Sequence, residues 1–400
     1  MPSIIAPSTL SVARSPIFVT VAGAVNEIQS IVDCTIKVFI WSGSYSSRPT
    51  NPDYTLFRDK FVSNAEEVGF DIAPLVREEL GGVFDTNITR NSPTSEQNNN
   101  VVWVDVDYII NYYSVSAPTV ITNATGSSST FPVSEGYYGY EQDLDSAVII
   151  AGFLNNATTI HTKTSGNEMV SLWLGSYGAE TIDSVRYKVG GVTKHTFDIT
   201  SYQANVQPEN QITRIPIGDT GLNNWLTSDG YTGASSDRPI NQDTYQIVLV
   251  DDGSNEVATL NVVKECEPKY TIQTIRFLNK YGTWEFLNFF KRSDDDFEVQ
   301  HEQYRKGNLT ISRSGVSHDT DLEQYKRINT NGKLKITLNT GWVDESNSDT
   351  IKDLMMSERV MLDTSPVNVI SGSMRLQKSI NDKMINYTIE VEQAFDTRYV

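Results

Sequence analysis

Cysteine, histidine, positive charge and long apolar runs are all scarce in this chain of 400 residues. The two cysteines, Cys34 and Cys266, lie far apart, so a disulfide scaffold is excluded and no structural pairing between them is expected. Of the four histidines, His161, His195, His301 and His318, none falls in a His-Glu-x-x-His spacing, and each is expected in a surface or hydrogen-bonded structural role. No Gly-x-Ser-x-Gly elbow, no phosphate-binding Gly-x-x-x-x-Gly-Lys-Ser/Thr loop and no Gly-x-Gly-x-x-Gly turn occurs, which removes sequence support for nucleophilic hydrolysis and for bound nucleotide. No run approaches the ~18 apolar residues of a membrane span. The first eleven residues lack the basic and apolar regions of a secretory signal, so synthesis in a reducing cytoplasm is the expectation. Without such a signal, the Asn-x-Thr sequons at Asn87, Asn123, Asn156, Asn308 and Asn386 carry no weight.

Lys and Arg number 32 against 50 Asp and Glu, giving a net charge of −18 and a pI near 4.7. That field repels phosphate backbones and anionic bilayers, so neither nucleic acid nor membrane is expected as a partner. Two acidic clusters stand out: Asp294-Asp295-Asp296 with Glu298, and Asp251-Asp252 with Asn255 and Glu256. Neither has the twelve-residue EF-hand spacing; the first reads as a solvated loop between strands and the second as a hairpin turn. No metal and no cofactor is expected. A glycosidase pair needs only two carboxylates meeting ~5 to 9.5 Å apart, but no motif points to one, and the chain is read as non-enzymatic.

What the sequence does have is period-two alternation of apolar and polar residues from end to end, bounded by Gly, Asn, Asp, Ser and Pro. Strands are expected at 17–22, 35–41, 101–106, 170–174, 185–189, 245–250, 284–290, 334–338 and 385–391. Gly190-Gly191, Asp252-Gly253 and Asn331-Gly332 are expected to turn hairpins, because they tolerate the positive φ of primed turns. Helices are short and few, at 74–80, 222–226 and 349–356, the last placing Ile351, Leu354 and Met355 on one face. The fold class is mainly β and multi-domain: about three antiparallel β-sandwich-like units with short peripheral helices, at 1–117, 118–265 and 266–400. The polar stretch 87–100 reads as a surface loop. The Pro- and Gly-Ser-containing stretch 117–129 reads as the first boundary, and 264–268 as the second. Phe70-Asp71-Ile72 and Phe197-Asp198-Ile199 echo one another, either as a duplication or as two unrelated strand ends with a turn-capping Asp.

Two aromatic groups are candidate contact residues. Tyr137, Tyr138 and Tyr140 lie in a Gly-containing segment, where they can either stack on a ligand such as a sugar or pack within the protein. Trp284, Phe286 and Phe290 fall on one face of a strand and Leu287 and Phe289 on the other, so both faces carry large apolar groups. One reading covers the second face with a neighbouring subunit, making Trp284, Phe286, Phe289 and Phe290 an interface. The other covers it with helix 349–356.

The last third of the chain carries a resemblance. CEPKYTIQTIRFLNKYGTWEFLNFFKRS (266–293), LNTGWVDESNSDTIKDLMMSERVML (338–362) and INYTIEVEQAF (385–395) resemble virion proteins encoded by tailed phages, particularly of Bacteroidetes-like hosts. The shared look is a Phe-x-Asn-Lys-x-Gly strand, an aromatic strand, a short helix before an apolar strand, and a closing strand with an Ala-Phe ending. The resemblance brings no catalytic residues. It implies a structural component of the virion, in the tail, ring, hub or baseplate, made in the host cytoplasm and assembling as a ring or other symmetric homo-oligomer with tail or neck proteins as neighbours. The alternative is a carbohydrate-binding or host-receptor-recognition module, with host surface glycan as partner. A glycan-degrading enzyme is the third.

Overall fold

The computed structural model describes all residues except 1, 8, 23–27, 60–66, 81–91, 96–99, 140–148, 150, 176–181, 200–211, 267–268, 374–383 and 399–400. Strands dominate, helices are short, and no helix among the described residues is long and apolar enough to cross a membrane. The chain is multi-domain and mostly β, and each stretch of sequence alternation forms a strand.

Two sheets share the first core. Ser3–Ile5, Phe18–Ala22 and Glu67–Asp71 form the smaller, and the larger orders Ser11–Val12, Phe131–Ser134, Val101–Ser114, Ile28–Trp41 and Tyr54–Asp59. Alternation fills the space between them: Val19 and Val21 from one sheet meet Ile36, Val38, Val104 and Val106 from the other. On the opposite face of the larger sheet, Phe39, Trp41 and Trp103 make a separate small cluster. Cys34 is buried in the first core, whereas Cys266 is exposed, and the two do not pair. Asp71 accepts hydrogen bonds from the amides of Ile17 (3.0 Å) and Ala73 (3.1 Å), capping the turn into helix Ala73–Glu79.

The stretch 117–129, expected as a linker, is instead mostly strand. Ala117–Ser127 pairs antiparallel with Val101–Ser114, and Phe131–Ser134 follows into the same sheet. Its Thr, Ser and Asn content reflects an exposed edge, which needs no apolar face, and an edge also tolerates Pro118. The polar segment 87–100 lies largely outside the described residues, but its Thr94–Ser95 joins the next unit's sheet opposite Thr213 and Arg214.

The middle core also lies between two sheets. Gly152–Phe153, Met169–Trp173, Ile212–Pro216 and Thr94–Ser95 face the five strands Thr159–Lys163, Glu256–Glu265, Thr244–Asp251, Ile182–Val189 and Val192–Asp198. Helix Asp219–Ser228 contributes Leu222, Trp225 and Leu226, with Trp225 stacked on Phe197 at 3.6 Å between centroids. Pairing is not purely antiparallel: Thr159–Lys163 runs parallel to Glu256–Glu265, as Ser11–Val12 does to Phe131–Ser134. Gly190 and Gly191, both at positive φ, turn the hairpin between Val189 and Val192. In the Asp252-Gly253 hairpin, Ser254 takes the positive φ (66°), and the Asp251 carboxylate holds the Asn255 amide (2.6 Å) and side chain (2.9 Å).

Among the described residues the last unit holds a sheet of seven strands, in the order Trp284–Phe289, Gln273–Leu278, Val360–Leu362, Ser365–Val369, Met384–Gln393, Tyr325–Asp344 and Asp294–Arg305, and a separate two-stranded hairpin. The larger sheet curls over helix Asn347–Met356, whose Ile351 and Leu354 are fully buried among Phe277, Phe289, Leu338 and Ile389. Asn331-Gly332 turns no hairpin here; both residues lie inside the twenty-residue strand Tyr325–Asp344. Gly332 is small for another reason, because a Cβ there would collide with the Phe297 ring, which lies across it from the neighbouring strand. The acidic run Asp294–Asp296 is likewise strand rather than loop.

Candidate functional site

The units are joined by short polar contacts around two close backbone approaches. The hydroxyl of Ser134 donates to the Tyr281 carbonyl (2.7 Å), and the Tyr137 amide donates to the Lys280 carbonyl (2.7 Å). Gly136 and Gly282 stand where these segments meet; a Cβ on Gly136 would run into the Lys280 carbonyl, and Gly282 adopts φ +73°. Asp353 of helix Asn347–Met356 accepts from the Tyr137 hydroxyl (3.2 Å), the Asn156 side chain (2.8 Å) and the Lys280 amide (3.1 Å), tying three regions to one carboxylate. Glu135 pairs with Arg14 (2.8 Å) and Arg359 (2.6 Å), and Arg14 also reaches Glu358.

This junction is where the sequence-identified aromatics go. Tyr137 is half-buried, and burial together with the neighbouring Asp353 pushes its hydroxyl pKa upward. Tyr138 is half-buried against Leu10, its amide donating to the Ser15 hydroxyl at 2.7 Å. Both are used within the chain, Tyr137 through the bond from its hydroxyl to Asp353 and Tyr138 through its packing on Leu10, so neither stands free as a loop-borne platform. Tyr140 lies outside the described residues. Trp284, Phe286, Phe289 and Phe290 are likewise buried within the chain, at 2, 8, 0 and 5 % exposure. The two faces of their strand divide as alternation requires. Leu287 and Phe289 pack with the helix in the last core, whereas Phe286 joins the core of the middle unit and Phe290 lies edge-on to His161. The second face is therefore covered by the middle unit of the same chain, which removes this strand from the surface available to a neighbour.

A cavity of about 260 Å³ opens at that same meeting of middle and last units. Phe286 and Met169 give it an apolar side; Lys163, Arg214, Arg276, Glu168, Glu285 and Asp363 bring both signs of charge. The polar groups are fixed by one another. Lys163 donates to Thr274 (3.0 Å), Thr274 to Asn288 (2.7 Å), and Asn288 to Glu168 (3.0 Å). Arg276 donates to the Asp363 carbonyl (2.6 Å), and Asp363 holds a left-handed conformation at φ 51°. Glu168 fits only because Gly166 and Gly218 lack side chains. Burial raises the carboxyl pKa of Glu168, and burial pushes that of Glu285 up to about 7 despite hydrogen bonds from Asn279 (2.9 Å) and Thr350 (3.2 Å). Sequence reasoning missed these residues. The available signal was a lone charge inside an apolar strand, as with Arg276 in TIRFL and Glu285 in WEFLNF.

The second feature is an arm. Asp294–Arg305 is exposed along its full length and pairs with Tyr325–Asp344. Beyond Asn331, where Arg398 and Thr397 brace its base, the two strands continue for roughly 20 Å with no third strand beside them among the described residues. At the tip, Leu309–Ser312 and Gly315–His318 form a further hairpin that aligns Leu309, Ile311, Val316 and His318 on one face. Ile311 is 80 % and Leu309 67 % exposed, and Phe297, Val299, Tyr304, Tyr325 and Ile328 are exposed along the shaft. His301 and His318 lie on this arm, whereas His195 pairs with Asp229 (2.7 Å) and His161 with Glu265 (2.9 Å). Among the described residues no group of three or more His, Cys, Asp or Glu is placed to hold a metal ion.

No family model matches the chain, and no curated protein matches it. Solved structures give faint likenesses. The fibronectin(III)-like modules of Clostridium thermocellum CbhA align at 9 % identity and TM-score 0.17, over 68 % of this chain and 98 % of that one. Trypsin-activated alpha-2-macroglobulin from Escherichia coli aligns at 8 % identity and TM-score 0.20, over 85 % and 23 %. The sialic acid binding region of a Streptococcus sanguinis SK1 adhesin aligns at 10 % identity and TM-score 0.15, over 68 % and 79 %. At such scores none of them bears on what this chain does.

Proposed function

We propose that the chain is a structural subunit that assembles with copies of itself, in the virion of a tailed phage, and that the arm at 294–337 is the element that reaches the neighbouring subunit. The arm carries this reading. A two-stranded ribbon with neither face covered by described residues is marginal on its own, and Phe297 and Val299 on its shaft and Leu309, Ile311 and Val316 at its tip expose apolar side chains of the kind that mark a protein contact. Its outer strand also presents unpaired backbone groups, which a neighbouring sheet can satisfy. Acidic residues alternate with the apolar ones on Asp294–Arg305, keeping the free subunit soluble while the apolar face waits for its partner. The assignment to a virion rests on the resemblance of residues 266–395.

The test is to replace residues 300–331 by Asn-Gly. Val299 and Gly332 are directly opposed across the ribbon, so a two-residue turn closes it without strain. Sedimentation of the full chain is expected to show a closed oligomer, and the shortened chain a monomer with the same melting temperature. Identical assembly of the two would remove the arm from the interface, and a monomeric full chain at high concentration would remove self-assembly. Mass spectrometry of purified phage particles checks the virion assignment separately.

A further inference from the structure

We propose that the cavity between the middle and last units is a binding site for one neutral sugar residue, free or at the end of a glycan. At about 260 Å³ it lies just below the usual range of ~300 to 1,000 Å³ for ligand sites, which limits the occupant to roughly the size of a monosaccharide. The lining selects the chemistry. A sugar hydroxyl both donates and accepts, and it is best satisfied where acceptors and donors stand side by side. Here the Asp363 carboxylate stands beside the donors Lys163, Arg214 and Arg276, while Phe286 supplies an apolar wall for the C–H face of a ring. A metal ion or amine would meet three cations, whereas a phosphate would meet those cations together with the Asp363 carboxylate.

Glu168 belongs to the fixed frame of the cavity. Glu168 is almost wholly buried, and its Oε1 is taken by the Lys163 amide and Asn288, yet its Oε2 has no hydrogen-bond partner among the described residues. That oxygen lies against Gly166 and Gly218 with almost no accessible surface, so a ligand in the cavity meets the groups around it and not this atom. The chain from Lys163 through Thr274 and Asn288 to Glu168 also holds these groups in place before any ligand arrives, which lowers the ordering cost of binding. The site is independent of the arm, so this inference stands apart from assembly.

Saturation-transfer NMR on the full chain tests it with glucose, galactose, mannose and N-acetylglucosamine as probes, and N-acetylneuraminic acid and inorganic phosphate as anionic comparators. At least one neutral sugar is expected to bind saturably, and the shortened-arm chain to bind it equally. Asp363→Asn keeps a residue that tolerates the left-handed backbone while removing the charge, and is expected to weaken binding about tenfold. Ser165→Asn, also at a left-handed position (φ 59°), puts bulk into the cavity and is expected to abolish the signal, with melting curves confirming that the fold is kept. The proposal falls if no neutral sugar in the panel binds, if both variants bind like the parent, or if the anionic comparators bind more tightly than every neutral sugar.

Discussion

Trp284–Phe289 and Asp294–Arg305 are the two edges of one sheet, separated by only four residues of chain, and they have opposite fates. Every residue of the first is buried and every residue of the second is exposed. The first is apolar on both faces, and the chain supplies a cover for each: helix Asn347–Met356 on one side, the middle unit on the other. The second alternates Asp, Phe, Glu and Val, the pattern of a half-buried strand, but no part of the described chain lies over its apolar face. Strand pattern thus states how many faces want covering; only the arrangement of units says whether the chain itself provides the cover.

The largest expected effect comes from charging both edges in the same way. Phe289→Asp buries a carboxylate in a fully enclosed site and is expected to cost ~4 kcal/mol or more, read from urea denaturation. Such a cost means that the last unit unfolds before any question of assembly arises.

The buried edge also predicts a pH dependence. Burial moves the Glu285 carboxyl from 4.5 to about 7. Between these values the folded chain holds a proton that the unfolded chain has released, so stability falls as pH rises from 4.5 to 7 and stays low above it. For this group alone the loss is ~3 kcal/mol. Glu168 and Asp353, also raised by burial, act in the same direction. Glu256, Glu298 and Glu358 are lowered by their cationic partners, so their contribution is lost only on acidification below the ordinary glutamate range, outside this window. Denaturation at pH 5 and pH 8 should therefore show the parent weaker at pH 8 and Glu285→Gln with a smaller difference; equal differences would mean that Glu285 is not the titrating group.

Gly136→Ala sharpens the comparison at the junction that holds the buried edge in place. The added methyl meets backbone rather than a movable side chain, and ~1 to 3 kcal/mol of destabilisation is expected in the same assay. A neutral outcome would show that the units separate easily. The smallest effect belongs to the exposed edge: Phe297→Asp is expected within about ±0.5 kcal/mol of the parent in stability while weakening self-association in sedimentation. If it destabilises the isolated subunit as much as Phe289→Asp, the two edges are not different in kind.

Local chemistry was legible wherever a residue's conformation or face depends on its near neighbours. Alternation at 35–41 or 245–250 had to make strands, Gly190-Gly191 had to turn, and Trp284 had to face away from Phe289, because side-chain period and backbone sterics are fixed within a few residues. Long-range placement was not. Thr- and Ser-rich Ala117–Ser127 looks like a linker until it lies along Val101–Ser114, and Asn331-Gly332 looks like a turn until the Phe297 ring lies across it. Arg214 comes from one unit and Arg276 from another, brought to one cavity with Glu168 only when the middle and last units meet. The sequence by itself determined a chain of β units with short helices. Which apolar faces the chain covers for itself, and which it leaves exposed, was decided by the tertiary structure, because burial belongs to pairs of surfaces distant in sequence and no single strand encodes its own cover.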